Sequence, residues 1–282
     1  MEAEDRHRRV QEHPGRRRLI GGELESDPIS PIGVFDSGVG GLSILRALRA
    51  GLPAEHLIYL ADSGFSPYGE RDDSFVVERV RVVAQRLLDE HAVKALIIAC
   101  NTATSAAIHL LRAEFPGLPI VGVEPALKPA LALTRTGRIG VMATRGTLAS
   151  AKFRALHDAL KAQAEFVLQP CDGLADAIEN DDAAKVAELC ARYTHAMGRF
   201  GSASGDIDTL VLGCTHYPFA QQQLRALLGT GVQMVETGEP VARQTRRLLE
   251  AAGLLIADGA GTVTCLSTGD LDALQRSASH WL

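Results

Sequence analysis

Two short stretches of this 282-residue chain place a thiol where a ligand could meet it. Ala95-Leu96-Ile97-Ile98-Ala99 runs into Cys100-Asn101-Thr102, and Thr209-Leu210-Val211-Leu212-Gly213 runs into Cys214-Thr215-His216. Each is an apolar run with strand character that ends in a cysteine and a polar pair. A thiolate is a nucleophile, a metal ligand and a base, whereas a cysteine after an apolar strand can equally be a small buried hydrophobe. Cys171, Cys190 and Cys265 are read in that second way. Cys190 shares a helical stretch with Val186 and Leu189, and Cys265 lies within a terminal strand. Cys100 and Cys214 differ because the polar groups that follow them can hold a small ligand.

Two chemistries offer themselves at the second cysteine. Zinc bound by Cys214 and His216 would need third and fourth ligands, and no CxxC or HxxxH spacing supplies them. A cysteine hydrolase could use Cys214 as nucleophile and His216 as base, since residues two apart at a strand end point to one face. Both leave Cys100 without a task. Elsewhere, Gly33-Val34-Phe35-Asp36-Ser37-Gly38-Val39-Gly40-Gly41-Leu42 is a strand entering a glycine turn and then a helix, a place where backbone amides can meet a carboxylate or phosphate. A dinucleotide site fits poorly, because Ser43 stands where the third glycine of GxGxxG belongs and the charge of Asp36 would oppose a pyrophosphate. Asp62-Ser63-Gly64-Phe65-Ser66-Pro67-Tyr68-Gly69 is loop chemistry, with the Tyr68 hydroxyl and the Gly69 amide available to a ligand.

The elements that must position these groups alternate in type. From Pro31 onward short apolar runs alternate with amphipathic segments, the pattern of βαβ units and a mainly parallel sheet. Strands are predicted at Ile32 to Phe35, Leu57 to Leu60, Ala95 to Ala99, Ile120 to Val123, Ile139 to Met142, Phe166 to Leu168, Leu210 to Gly213, Gln233 to Val235 and Val263 to Leu266. The clearest helix is Ser74 to Glu90, where Val76, Val77, Val80, Val83, Leu87 and Leu88 recur at helical spacing. Nine strands are many for one doubly wound sheet. The echo between the two strand-cysteine segments divides them into two similar α/β domains. Ligands collect at the carboxyl ends of parallel strands, so each domain would present a thiol on its own wall of a shared cleft.

Composition sets the frame. Hydrophobic residues make up 46% and charged residues 22%, which is ordinary for a globular chain with a core. A net charge of -5 gives no electrostatic reason to expect nucleic acid or an anionic membrane as partner. No apolar run approaches the roughly 20 residues of a membrane span. No apolar signal core follows the N-terminal charges, and five cysteines without a CxxC pair suit a reducing cytosol. Residues 1–30 read as a flexible extension: Arg6, Arg8, Arg9, Arg16, Arg17 and Arg18 cluster there without apolar periodicity, offset by seven acids.

Taken in order, GVFDSGVGGLSIL, ADSGFSPYGER, LIIACNTATSAAI, PIVGVEPALKPA, VMATRGTLAS, LVLGCTHYPF and ETGEPVARQ closely resemble the glutamate racemases, from Ile32 to about Leu249. The DSG turn and the PYG loop are the positions that set these apart within the wider aspartate/glutamate racemase group. The resemblance implies an α/β fold of two pseudo-symmetric domains, each a mainly parallel sheet flanked by helices, with the active site in the cleft between them. The expected division is 31–121 plus 238–282 for the first domain and 122–237 for the second. It also implies interconversion of L- and D-glutamate without pyridoxal phosphate, other cofactor or metal, by two thiols acting on opposite faces of the α-carbon.

Carried over by motif, Cys100 and Cys214 are the acid/base pair, with Asp36, His216 and Glu179 assisting. Asp36, Ser37, Pro67, Tyr68, Gly69, Asn101, Thr102, Thr144, Thr215 and His216 would bind the amino acid. Further expectations from the resemblance are a bacterial cytoplasmic enzyme supplying D-glutamate for peptidoglycan, a homodimer, and activation by UDP-N-acetylmuramoyl-L-alanine. A racemase of another acidic amino acid, chiefly aspartate, is the nearest alternative. A secondary DNA gyrase-binding role is a further one. The chain departs from the commoner family residues at Ser63 to Ser66 and at Glu236-Thr237.

Overall fold

The computed structural model describes residues 19–20, 23–24 and 27–282. The expectation of a flexible extension therefore falls largely outside the described residues. Within it, β1 (Leu19–Ile20) pairs antiparallel with β2 (Glu23–Leu24).

Nine further strands form two parallel sheets. The first contains β3 (Ile32–Asp36), β4 (Leu57–Ala61), β5 (Ala95–Ile98), β6 (Ile120–Gly122) and β11 (Val263–Ser267), in the order β11-β4-β3-β5-β6. The second contains β7 (Arg138–Ala143), β8 (Glu165–Pro170), β9 (Thr209–Leu212) and β10 (Gln233–Val235), in the order β10-β9-β7-β8. All nine strands read from the sequence are present, and every pairing within the two sheets is parallel.

The two sheets share one winding. In each, the first strand in the chain lies between the second and the third, and the fourth lies outside the third. The first sheet adds β11 beyond β4. Cys100 and Cys214 both follow the third strand of this pattern, which is the structural content of the sequence echo between them. In a doubly wound sheet the crevice opens where the winding reverses, beside the carboxyl ends of the first and third strands.

Burial on both sheet faces explains why the inner strands β3, β5 and β9 are nearly continuous apolar runs rather than alternating ones. On the first sheet, Ile32, Val34, Tyr59 and Ile97 face α1 (Leu42–Gly51) and α10 (Gly238–Ala251). Phe35, Leu60, Leu96 and Ile98 face α2 (Asp73–His91) and α3 (Asn101–Glu114). The predicted helix at Ser74 to Glu90 is α2, and its Val76, Val80, Val83, Leu87 and Leu88 are buried. On the second sheet, Leu210 and Leu212 pack against α8 (Ala183–Met197), while Ile139 and Val141 pack with Phe153 of α6 (Ala151–Leu160). Cys190 lies inside the α8 core and Cys265 inside β11, as read from the sequence. Among the described residues no helix is long and apolar enough to cross a membrane.

Candidate active site

The carboxyl ends of the two sheets face each other across one small cavity. Ser37, Pro67, Tyr68, Gly69, Cys100, Asn101 and Thr102 line it from the first sheet, and Thr144, Cys214, Thr215 and His216 from the second. Of the residues predicted from sequence, only Asp36 and Glu179 stand behind this lining, each in contact with a group that belongs to it.

Cys100 is the N-cap of α3. Its sulfur accepts a hydrogen bond from the Ala103 amide at 3.5 Å and donates to Ser37 Oγ at 3.7 Å. Burial first, and the Asp36 carboxylate second, push the Cys100 thiol up to about 12, so at neutral pH this group carries its proton. Asp36 reaches Cys100 only through Ser37, whose hydroxyl lies 3.4 Å from Asp36 Oδ1. The Asp36 carboxylate accepts from the Gly38 amide at 3.0 Å and from Thr215 Oγ1 at 2.9 Å, a bond that ties the two sheets together. Burial raises its pKa further than His216, Gly38 and Thr215 can lower it.

Cys214 has different company. Its sulfur lies 3.8 Å from His216 Nδ1, and His216 Nε2 lies 2.7 Å from Glu179 Oε2. Glu179 ends α7 (Leu174–Glu179), and the same oxygen accepts from the Val39 amide at 2.9 Å. Burial works against a charged His216, but Cys214 and Glu179 outweigh it and hold the imidazole well above its ordinary range. For Glu179 burial works upward, and the bonds from His216, Val39 and Ser63 overcome it, keeping the carboxyl below the usual carboxylate range. The result is an imidazolium-carboxylate pair beside one thiol and a protonated, buried thiol on the other sheet.

The glycine turn is now explained by close approach across the cleft. A Cβ on Gly40 would sit 2.4 Å from His216 Nδ1, and one on Gly38 would sit 2.2 Å from Glu179 Oε2. The turn has no side chains there because the second sheet's acid-base pair occupies the space.

The remaining lining is polar and held in place. Tyr68 is buried, and its hydroxyl donates to Asp62, which also receives both arms of Arg79 at 2.9 Å. Thr144, the N-cap of α5 (Arg145–Ala149), meets Thr102 across the cleft at 3.1 Å. Asn101 is buried, yet neither of its side-chain polar atoms has a hydrogen-bond partner. Leaving such a buried amide unpaired costs about 1–3 kcal/mol.

Sequence reasoning missed Glu70, Arg145, Cys171, Asp172, Gly173 and Ala175, which also line the cavity. Cys171 is buried in the core as expected, but it sits one residue past β8, so the strand-end signal that singled out Cys100 and Cys214 was present there too. Among the described residues no group of three or more His, Cys, Asp and Glu side chains converges as metal ligands would, and both ring nitrogens of His216 are engaged by Cys214 and Glu179.

Comparisons with known proteins point the same way. The glutamate racemase of Ectopseudomonas mendocina is 48% identical over 248 residues, covering 87% of this chain and 92% of that protein. A glutamate racemase isoform from Bacillus anthracis superposes with a TM-score of 0.78 at 32% identity, over 89% of this chain and 93% of that one. The Escherichia coli glutamate racemase, solved with L-glutamate and the activator UDP-MurNAc-ala, gives a TM-score of 0.78 at 32% identity, over 89% and 95%. The sequence profile of the Asp/Glu/Hydantoin racemase family matches residues 32–245, and this chain belongs to that family.

Proposed function

We propose that this protein interconverts L- and D-glutamate by proton transfer at the α-carbon, with Cys100 and Cys214 as the two acid/base groups. The observation that carries the reading is that equivalent strand ends of two similarly wound sheets each deliver a cysteine to one cavity. Inversion requires a proton to leave one face and another to arrive at the opposite face. One wall must therefore hold a base while the other holds an acid. Burial keeps Cys100 protonated, and the Cys214 sulfur lies 3.8 Å from the His216 imidazole. The two thiols thus have unlike neighbours, a hydroxyl and a carboxylate on one wall and an imidazole on the other.

In the cycle, one thiolate takes the α-proton and becomes a thiol, the electron pair passes into the substrate carboxylate, and the opposite thiol protonates the other face. The enzyme then holds the mirror-image protonation state. Asn101, Ser37, Thr102, Thr144 and Thr215 offer the hydrogen bonds that would fix the substrate's charged groups and receive the charge that develops. Asp36 and Glu179 act from behind, through Thr215, Ser37 and His216.

The same proposal places residues 31–121 plus 238–282 in the first domain and 122–237 in the second. Sheet membership supports it except at Gly122, the last residue of β6, which pairs with Ile98 in the first sheet. A cytoplasmic bacterial role in peptidoglycan synthesis, a homodimer and response to an activator of the UDP-MurNAc-ala class belong to the same reading.

Circular dichroism of the purified protein with L-glutamate and no added cofactor is expected to show the optical signal decaying to zero, and equally from D-glutamate. Both aspartates are expected to turn over at least about a hundredfold more slowly, because a side chain one methylene shorter leaves the distal carboxylate's partners unpaired. Faster turnover of aspartate than glutamate would transfer the reading to an aspartate racemase.

The close approach of the glycine turn adds a second test. Gly40→Ala would put a Cβ 2.4 Å from His216 Nδ1, so the imidazole or the turn must shift, and displacements of about 1 Å at a reacting group cost on the order of a hundredfold in rate. Turnover should show that loss, beside a fall in stability of about 1–3 kcal/mol from the overpacked contact. Turnover within a few-fold of wild type would mean that the His216 position is unimportant.

A further inference from the structure

We propose that Ser63 is a positioning residue for the Cys214 side of the reaction, acting across the cleft through Glu179 and His216. The inference rests on the two-thiol reading above. Ser63 begins a single helical turn (Ser63–Phe65) after β4 in the first sheet, whereas Glu179, His216 and Cys214 all belong to the second. Its hydroxyl donates to Glu179 Oε1 at 3.1 Å. The other carboxylate oxygen is already committed to the Val39 amide at 2.9 Å and to His216 Nε2 at 2.7 Å. Three bonds from three directions leave the carboxylate no freedom to rotate. Without the Ser63 hydroxyl, Oε1 has no partner and the plane of the carboxylate is free to turn, which misaims the oxygen facing His216.

The turn that carries Ser63 is itself fixed. Its neighbour Asp62 is buried, takes both arms of Arg79 and accepts from Tyr68, while the Arg79 guanidinium lies 3.5 Å from the centre of the Phe65 ring. A line of contacts therefore runs from α2 through Asp62 and Ser63 to Glu179, His216 and Cys214. Supporting partners of this kind set the aim and charge of the group that reacts. Two of the three bonds on Glu179 come from the first sheet and one from the second, so the second thiol's partner is fully held only when the sheets face each other as they do here. The other titratable groups facing this pair are Asp36 from β3 and Tyr59 from β4, both buried, and neither bonds to Ser63.

Four forms of the full-length chain test this: Ser63→Ala, Ser63→Thr, Glu179→Gln and the Ser63→Ala/Glu179→Gln double variant. Each is assayed for kcat and KM with glutamate across pH, and for the rate at which iodoacetamide alkylates each thiol, followed by mass spectrometry. Ser63→Ala is expected to lower kcat about tenfold with KM within about twofold, as fits a hydrogen bond to a charged group. It should slow alkylation of Cys214 about fivefold, through a weaker imidazolium at His216, and leave Cys100 unchanged. Ser63→Thr keeps the hydroxyl and should stay within about threefold of wild type. In the Glu179→Gln background the added effect of Ser63→Ala should fall below about twofold, because the two residues act in one line.

Equal slowing at both thiols, or full additivity with Glu179→Gln, would show a general structural role and overturn the proposal. So would a Ser63→Ala protein identical to wild type. If Cys214→Ala itself retains racemisation, the two-thiol reading fails, while the alkylation rates still report whether Ser63 governs the Cys214 environment.

Discussion

Either Cys100→Ala or Cys214→Ala is expected to lower the interconversion of L- and D-glutamate by about a thousandfold or more, the upper range for removing a positioned proton-transfer group. The size follows from the groups that stand nearest each thiol. On the first sheet the groups nearest Cys100 are Ser37, a hydroxyl, and Asp36, which lies behind it. On the second sheet His216 lies 3.8 Å from the Cys214 sulfur, with its ring nitrogens engaged by Cys214 and Glu179. A hydroxyl and an imidazole already bonded to a carboxylate are poor replacements for a thiol as the base at the α-carbon.

The two variants are not expected to be inert in every respect. A protein with one thiol can still remove the α-proton of the enantiomer that presents it to that wall and return it to the same face. In deuterium oxide each single variant should therefore wash deuterium into one enantiomer faster than it inverts it, and the two variants should choose opposite enantiomers. Proton magnetic resonance of the α-position, beside circular dichroism of the same sample, separates exchange from inversion. Near wild-type racemisation by either variant would end the two-thiol reading and return Cys214 and His216 to the hydrolase alternative.

The largest expected loss of stability lies at the opposite end of the first sheet. Lys94, just before β5, and Glu55, just before β4, are both fully buried and pair at 2.6 Å. The ammonium also donates to the carbonyls of Pro28 and Leu254, and Glu55 Oε1 accepts from the Ile256 amide at 2.9 Å. This pair joins the start of the sheet to the loop between α10 and β11. Lys94→Met leaves an uncompensated buried carboxylate and is expected to cost about 3–5 kcal/mol. That corresponds to a fall in thermal midpoint on the order of 10 °C for a chain of this size.

Lys94→Met combined with Glu55→Gln removes both charges and should recover a large part of the loss, because replacing a whole buried pair is far milder than breaking it. Calorimetry of the three forms tests this, and a single variant within about 1 kcal/mol of wild type would overturn it. The folded fraction of Lys94→Met should keep its kcat within about twofold, since parallel-strand sites lie at the carboxyl ends and this pair sits at the amino ends.

What the sequence determined by itself was local. Nine strands and α2 follow from apolar runs and helical spacing, because a strand buried on both faces must be apolar along its length and a surface helix must be apolar along one stripe. Cys100 and Cys214 were visible for the same reason, each standing where an apolar run gives way to polar residues at a strand end. Their relation across a cleft was suggested by the repetition of that pattern.

The tertiary structure decided everything that depends on how the two sheets face each other. That Glu179 meets His216, Val39 and Ser63, and that Thr215 meets Asp36, are contacts between residues 37 to 179 positions apart. No local propensity encodes them. The glycines at 38 and 40 were legible as a turn, but their reason, the imidazole and carboxylate arriving from the other sheet, was not. The unlike surroundings of the two thiols are a tertiary property as well. They come from burial and from neighbours brought in by folding, which is why two similar strand-cysteine segments of one chain end in different chemical surroundings.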